Sequence, residues 1–257
     1  MSDLPDAAEL LDLDFGDFED DLPFYDALAR RGDGSILELG AGTGRVAIPL
    51  ARAGLDVYGI DLSPAMVARA NEKAPDDLGA RLHLSCGDMR DFDLGRAFSL
   101  VFAAYGTFHH LLSADEQLSC LRAVRRHLST DGLFVCDLRS MLHVDWESGE
   151  SAPLLHDWTR VLPRTGESVT KLRAVRPDQA AQIQRELHIY DIEAAGGAVR
   201  RVTQEVDLRF TSRYEMEALL REAGLVLEHL YGDYDLTPYN EASESLITLA
   251  RRGKEPA

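Results

Sequence analysis

One stretch of the chain, residues 36–61, reads ILELGAGTGRVAIPLARAGLDVYGID. A short apolar run enters a turn with three glycines, an amphipathic segment follows, and a second apolar run ends at Asp61. This order predicts a strand, a tight turn, a helix and a second parallel strand, the unit from which nucleotide-binding sheets are built. The stretch therefore restricts the fold to an α/β sheet with a ligand site at the carboxyl ends of its strands.

The alternation of strand and helix continues to about residue 140. The apolar runs SILEL, DVYGID, RLHLSCGD, FSLVFAAY and GLFVCDLR are separated by segments of helical period, two of which begin at the capping residues Ser63 and Ser113. From about residue 146 to 210 the chain instead alternates β-branched and polar residues and carries a Gly-Gly turn at 196–197, which indicates an antiparallel meander. A capped helix from Ser212 and two closing strands follow.

We therefore predict an α/β fold, a doubly wound seven-stranded Rossmann-like sheet with an antiparallel β insertion after the fifth strand. Residues 1–140 and 211–257 are expected to form the nucleotide-binding domain. Residues 141–210 are expected to be an antiparallel lid that covers the substrate site.

The charge of the chain bears on its partners. A formal net charge of −17 over 257 residues disfavours binding to a nucleic-acid backbone and suits a small-molecule substrate. No apolar run has the length of a membrane span and the N-terminus has no signal-peptide pattern, so we expect a cytoplasmic protein with no membrane partner. Three scattered cysteines give no disulfide framework or zinc ribbon, and we expect all three to be buried.

The spacing of the glycines discriminates between ligands. A dinucleotide site would have its third glycine at position 45, where this chain has Arg45. Glu38, just before the turn, would repel a pyrophosphate but suits an ammonium group, and Asp61 is placed to accept hydrogen bonds from ribose hydroxyls. A zwitterionic nucleoside without phosphate, S-adenosyl-L-methionine, meets these demands.

Three segments carry a family resemblance. ELGAGTGR, GIDLSPAM and CGDMRDF, in this order and spacing, resemble motifs one to three of the Rossmann-like (class I) S-adenosylmethionine-dependent methyltransferases. The resemblance covers about residues 30–140 together with the final helix and strand pair. It implies S-adenosyl-L-methionine as the cofactor, with S-adenosyl-L-homocysteine as the product, and the following cofactor-binding residues: Glu38, Gly40, Ala41, Gly42, Asp61, Leu62, Met66, Asp88, Met89 and Ala104. Tyr25, which precedes the first strand, is a further candidate for contact with the cofactor.

Within that family, GDMRDFDLGRAFSLV and the insertion resemble the small-molecule N- and O-methyltransferases of bacterial secondary metabolism. The deoxyaminosugar N,N-dimethyltransferases belong to this group, and in them a histidine occupies the position that aligns with His110. The resemblance thus implies a transferase that methylates an amine or hydroxyl of a small molecule.

The loop AAYGTFHHLLS after the fourth strand should face the transferable methyl. His110 is the first candidate and His109 the second for a catalytic residue, since a histidine can accept the proton of an ammonium or hydroxyl acceptor at neutral pH. The aromatic residues expected around the acceptor are Tyr105, Trp146, Trp158, Tyr231 and Tyr234. No metal is expected, because no carboxylate accompanies the histidine pair at ligand spacing.

Two other functions stay open from the sequence, a nicotinamide-dependent oxidoreductase and a non-catalytic regulatory protein that binds S-adenosylmethionine. The residues leave several features undetermined, namely the acceptor, N- versus O-methylation, the number of methyl groups and the oligomeric state, for which a homodimer is one option. They also leave open whether His110 acts as a base or orients the acceptor.

Overall fold

A computed structural model describes residues 6–144, residue 146 and residues 153–253. The α-helices are α1 (Ala7–Phe15), α2 (Leu22–Ala29), α3 (Ala47–Arg52), α4 (Pro64–Lys73), α5 (Ala114–His127) and α6 (Arg213–Glu222). The strands are β1 (Ile36–Leu39), β2 (Val57–Asp61), β3 (Leu82–Cys86), β4 (Phe98–Ala103), β5 (Leu128–Arg139), β6 (Leu155–Val161), β7 (Ser168–Asp178), β8 (Ile183–Glu193), β9 (Val199–Arg209), β10 (Leu225–Tyr231) and β11 (Ser245–Arg252).

Seven strands form one sheet in the order β10-β11-β5-β4-β1-β2-β3. Strand β11 runs in the direction opposite to the other six. The chain moves outward from β1 through β2 to β3, and then returns to β4 on the other side of β1. The central strands are buried on both faces, as β1 illustrates, in which all four residues are buried. The predicted doubly wound sheet is confirmed, and its switch point between β1 and β4 is where such sheets bind ligands.

The helix starts follow the capping residues. The Ser63 hydroxyl accepts from the Met66 amide at α4, and at α5 the Ser113 and Glu116 side chains cap each other's backbone in a capping box. At α6 the Ser212 hydroxyl accepts from the Glu215 amide, at 3.3 Å. The predicted capping box is only half formed there, because the Glu215 carboxylate pairs with Arg209 instead.

Strands β6 to β9 form a second, antiparallel sheet in sequential order, as the meander pattern predicted. It lies at the carboxyl edge of the first sheet: the Arg139 side chain at the end of β5 donates to Gln184 on β8. One face of this sheet packs on α1, which the sequence did not predict. The apolar contact consists of Leu10 and Leu13 of α1 with Leu162, Val169, Tyr190 and Ile192.

Among the cysteines, Cys120 and Cys136 are buried as expected, whereas Cys86 at the end of β3 is exposed, so that part of the expectation is wrong. In the part of the chain that the structure describes, no helix is both long and apolar enough to cross a bilayer.

Candidate active site

A cleft of about 580 Å³ opens at the carboxyl ends of β1, β2 and β4. Its size is that of a small-molecule site. Most of the residues expected from the sequence line it, namely Glu38, Gly40, Ala41, Gly42, Asp61, Leu62, Met66, Asp88, Met89, Ala104, Tyr105 and His110. Helix α1 contributes a further part of the wall through Leu11, Asp12 and Phe15.

The glycine turn presents bare backbone to this cleft. Gly40 has a φ of +64°, and a Cβ built there would lie 2.3 Å from the Thr107 methyl, so no other residue fits. The Gly42 amide donates to the Asp61 carboxylate across 2.8 Å. The turn therefore brings main chain to the ligand and fixes the acid at the end of β2.

Asp61 is fixed on both of its oxygens. Oδ2 accepts from the Gly42 amide and Oδ1 from the Ser63 amide, each at 2.8 Å. A carboxylate has about four acceptor positions, so about two stay available toward the cleft. Asp61 is thus preorganised to accept hydrogen bonds from a diol such as a ribose.

Asp88 also borders the cleft, but its carboxylate is held by Arg90. Both oxygens accept from the Arg90 Nε at 3.0 Å, and Arg90 also pairs with Glu116 at 2.6 Å. The hydrogen bond from Arg90 holds the pKa of Asp88 below its usual value. The neighbouring Met89 supplies an apolar surface to the same end of the cleft.

Glu38 provides the test of which ligand fits. Its side chain is 3% exposed, and its Oε2 has no hydrogen-bond partner among the described residues. Burial raises the pKa of Glu38 to about 8, and the positive charge of Arg45 offsets this rise only in part. A buried carboxylate oxygen left without a donor beside the glycine turn suits an ammonium group and disfavours a phosphate. The chemistry of the site fits S-adenosyl-L-methionine.

Arg45, which stands where a dinucleotide fold has glycine, ties the N-terminal segment to the turn. Its guanidinium donates to both oxygens of the buried Asp21 at 2.7 Å and to the Phe18 carbonyl at 2.9 Å. It also lies 5.2 Å and 5.4 Å from the ring centroids of Phe18 and Tyr105. The segment between α1 and α2 is therefore clamped over the site.

The two histidines after β4 differ. His110 lines the cleft with an exposed side chain, and within the described residues its ring makes no hydrogen bond. Partial burial holds the pKa of His110 below its usual value, although the charges of Asp61 and Glu186 oppose this effect. His110 is therefore neutral at pH 7 and has a free ring nitrogen to accept a proton.

The structure contradicts a catalytic role for His109. Its ring is 3% exposed, with Nδ1 2.8 Å from the Arg209 carbonyl and Nε2 3.1 Å from the Arg139 amide. The ring thus donates to β9 through Nδ1 and accepts from β5 through Nε2, and burial lowers its pKa to about 4. His109 joins the two sheets and does not reach the cleft.

Four further expectations are corrected, because these aromatic residues do not line the cleft. Tyr25 is fully buried and stacks on Phe102. Trp146 lies edge-on to Phe210, Trp158 donates to Asp14 between α1 and the second sheet, and Tyr231 stacks on His229. The aromatic ring of each residue packs in the core or at a contact between elements.

Tyr105, which was predicted, and Phe15, which was not, line the cleft, and Phe18 and the predicted Tyr234 lie behind them; these four residues are the aromatic wall. The Tyr105 ring lies 5.2 Å and 4.6 Å from the rings of Phe15 and Phe18, and the Tyr234 ring lies 6.2 Å from that of Phe18. The sequence reasoning passed over Phe15 and Phe18 because it assigned no helix before residue 22. It also missed the buried Asp137, whose only sequence signal is a carboxylate near the end of the fifth strand.

No group of three or more residues suited to a metal ion is found within the described residues.

Comparisons with known proteins agree with this site. Residues 36–132 match a family described as a methyltransferase domain. The chain is 28% identical over 198 residues, 77% of its length and 78% of the relative, to the dTDP-3-amino-3,4,6-trideoxy-alpha-D-glucopyranose N,N-dimethyltransferase of Streptomyces venezuelae. It is 25% identical over 218 residues, 85% of its length and 83% of the relative, to the cypemycin N-terminal methyltransferase of a Streptomyces species.

A solved structure is also similar. The CcbJ methyltransferase of Streptomyces caelestis superposes with a TM-score of 0.77 at 27% identity, over 98% of this chain and 91% of that one. The match therefore includes the second sheet as well as the first. With the glycine turn, Glu38 and Asp61 in one cleft of a Rossmann-like sheet, residues 36–132 form a methyltransferase domain whose cofactor is S-adenosyl-L-methionine.

Proposed function

We propose that the protein methylates an amine of a small molecule in secondary metabolism, with an amino-deoxysugar as the leading acceptor class. The observation that carries the proposal is the free, neutral ring of His110 in the cleft that also contains Asp61 and Glu38. The similarity to a sugar N,N-dimethyltransferase supports the acceptor class, and the similarity to a peptide N-terminal methyltransferase supports an amine rather than a hydroxyl.

Bound S-adenosyl-L-methionine supplies a methyl group on a sulfonium, an electrophile that needs little activation. In the proposal, Glu38 binds the ammonium of the cofactor, Asp61 its ribose, and Met89 its adenine. Tyr105, Phe15 and Phe18 exclude water around the acceptor amine. His110 accepts the proton that the amine must lose, or orients the amine if it arrives neutral.

The same proposal assigns residues 141–210 to a lid and residues 1–140 and 211–257 to the cofactor-binding domain. The contacts of Arg139 with Gln184 and of His109 with Arg209 support a lid at the carboxyl edge. Helix α1 packs against the second sheet and also lines the cleft. The described residues that line the cleft include none from 141–210.

The test incubates the protein and S-adenosyl-L-methionine with three acceptors: a dTDP-3-amino-deoxyglucose, dTDP-glucose, and a peptide with a free N-terminus. Mass spectrometry reports the methyl groups gained. We expect the amino sugar to be methylated and dTDP-glucose to be unchanged. Methylation of dTDP-glucose would contradict the amine assignment, and methylation of the peptide alone would replace the sugar as acceptor.

In the same assay, His110→Asn should lower kcat by about 10²- to 10⁴-fold at neutral pH if the ring is the base. The loss should shrink as pH rises, because solvent then deprotonates the amine without help. Cofactor affinity should be unchanged. His229→Asn, an exposed histidine on β10, is the matched control and should retain full activity. A small loss that is flat with pH would show that His110 only orients the acceptor.

A further inference from the structure

The loop after β4 reverses sharply before it reaches His110. Tyr105 has a φ of +48° and Gly106 a φ of +78°, so two consecutive residues are left-handed. This backbone is uncommon for a tyrosine and persists only where surrounding groups impose it. The chain then enters the short 3₁₀ turn Thr107–His110. The conformation at Tyr105 therefore decides where the His110 ring stands.

A single residue of the neighbouring strand imposes that conformation. The Asp137 carboxylate accepts from the Tyr105 amide at 3.0 Å, and the Asp137 carbonyl accepts from the Gly106 amide at 2.9 Å. Asp137 is 3% exposed and lies two residues before the end of β5. Both amide groups of the reversal are thus bonded to one buried residue.

The same carboxylate oxygen also holds the aromatic wall. The Tyr234 hydroxyl donates to it across 2.6 Å, while the Tyr234 ring lies 6.2 Å from the ring of Phe18. Asp137 therefore connects the loop after β4, the loop after β10 and, through Phe18, the segment between α1 and α2. The loop after β4 lines the cleft through Tyr105 and the segment after α1 lines it through Gly16, while Tyr234 supports both from behind.

Several charged and titratable groups face Asp137. Asp21 approaches from the segment before α2, Arg45 from the glycine turn, Tyr25 from α2 and Cys136 from β5 itself. Burial raises the pKa of Asp137 to about 6, and the hydrogen bond from Tyr234 limits the rise. The carboxylate is therefore mostly ionised at neutral pH, when it binds an amide more strongly than a carboxylic acid would.

We infer that Asp137 is the positioning residue that fixes the loop Tyr105–His110, and with it the place of the His110 ring and of the aromatic wall, for the methyl-transfer site. The inference rests on the proposed function for its catalytic consequence. The structural part of the inference is that the Asp137 carboxylate holds the Tyr105 amide. This part does not depend on which acceptor the protein methylates.

The first arm of the test needs no acceptor. Labelling with [¹⁵N]tyrosine gives amide signals for eight tyrosines, and Tyr105→Phe identifies the signal of Tyr105. In the protein saturated with S-adenosyl-L-homocysteine, we expect that signal to titrate with a midpoint near pH 6, as Asp137 does. Tyr234→Phe should move the midpoint to higher pH, because it removes the hydrogen bond that favours the carboxylate.

Tyr239→Phe is the matched control, since its hydroxyl lies on the same connection between β10 and β11 but contacts Ser140, at 3.1 Å. It should leave the midpoint where it is in the unmodified protein. A midpoint that Tyr234→Phe does not move, or that both variants move equally, would overturn the inference.

The second arm uses the dTDP-3-amino-deoxyglucose. Asp137→Asn should lower kcat by about 10- to 100-fold through misplacement of the loop, with the KM for S-adenosyl-L-methionine unchanged. Tyr234→Phe should shift the acid limb of the rate profile to higher pH, in parallel with the Tyr105 signal. If the first arm succeeds and no amino sugar is methylated, the acceptor assignment fails and the loop inference stands. A Tyr105 signal that does not titrate refutes the loop inference whatever the activity.

Discussion

Glu38 shows how one residue can make cofactor binding depend on protons. Its pKa is raised to about 8 by burial, and its Oε2 has no partner among the described residues. In the free protein at pH 7 the carboxyl group is therefore mostly protonated. An ammonium group binds best to the ionised form, so binding should release a proton. The same shift makes folding more favourable at low pH, because between 4.5 and about 8 the folded state binds more protons than the unfolded state.

We predict that the affinity for S-adenosyl-L-methionine rises with pH, by up to about tenfold per pH unit, until it nears pH 8. At higher pH it should fall again, because the α-ammonium of the cofactor then loses its own proton. Calorimetry at pH 7 in two buffers of different ionisation enthalpy should show release of about one proton. Glu38→Gln should bind more weakly and lose both the pH dependence and the proton release. Glu228→Gln, a surface carboxylate on β10, is the control and should keep both. Equal enthalpies in the two buffers would refute the proton coupling.

The sequence was sufficient to predict those site residues that belong to a local motif. Gly40, Glu38 and Asp61 were predictable because their places relative to a strand end are fixed by the chain itself. His109 and Asp137 were not. The buried environment of His109 is made by β9, which is a hundred residues away, and adjacent histidines give no signal for which one turns inward.

Helix α1 was not predicted from the sequence, yet its Asp12 lines the cleft and bonds to the glycine turn and to α4. Its Asp12 accepts from the Thr43 hydroxyl and the Lys73 ammonium at 2.6 Å and from the Arg69 Nε at 3.0 Å. Thr43 belongs to the glycine turn, and both cations lie on α4. These hydrogen bonds hold α1 beside the cleft, and we expect them to open when the cofactor enters.

Asp12→Asn keeps the shape of this contact and removes its charge. We expect it to weaken S-adenosyl-L-homocysteine binding by about tenfold or more, because hydrogen bonds to a charged group contribute about 1.5–3 kcal/mol. The effect should be seen mainly as faster dissociation in stopped-flow measurements. Asp26→Asn, which removes the exposed pair with Arg30 on α2, is the control and should change little. Unchanged dissociation in Asp12→Asn would show that α1 does not retain the ligand.

The helix escaped prediction for a physical reason. Residues AAELLDLDF have apolar positions at Leu10 and Leu13, but the residues that bury them lie on strands about 150 positions later. By contrast, the strands of the first sheet carry their own signal, since each apolar run is bounded by turns and followed by a segment of helical period. The meander was predicted for the same reason, while its packing partner was not.

Across the whole molecule, a buried polar cluster joins α1 to the second sheet. Asp14 of α1 accepts from Lys171 at 2.8 Å, from Tyr190 at 2.8 Å and from Trp158 at 3.0 Å, all of which lie on the second sheet. The side chains of the Lys171–Asp14 pair are only 6% and 5% exposed. Removing one partner would leave a buried charge without compensation.

Asp14→Ala should therefore lower the free energy of unfolding by about 3–5 kcal/mol in urea denaturation. The matched control is Glu228→Ala, which breaks the exposed pair with Arg251 at 2.7 Å and should cost no more than about 1 kcal/mol. Similar losses in the two variants would mean that solvent reaches the Lys171 pair and that the cluster does not hold α1 on the second sheet.

The position of α1 between the cleft and the second sheet has a kinetic consequence. Asp12 faces the glycine turn and α4, while Asp14, two residues on, faces β6, β7 and β8. We expect the bonds of Asp12 to open when S-adenosyl-L-homocysteine leaves the cleft. The bonds of Asp14 then keep the helix attached to the second sheet. A substitution on the strands of the second sheet, outside the cleft, can thus change how long S-adenosyl-L-homocysteine stays bound. It can thereby change how strongly the enzyme is inhibited by its own product.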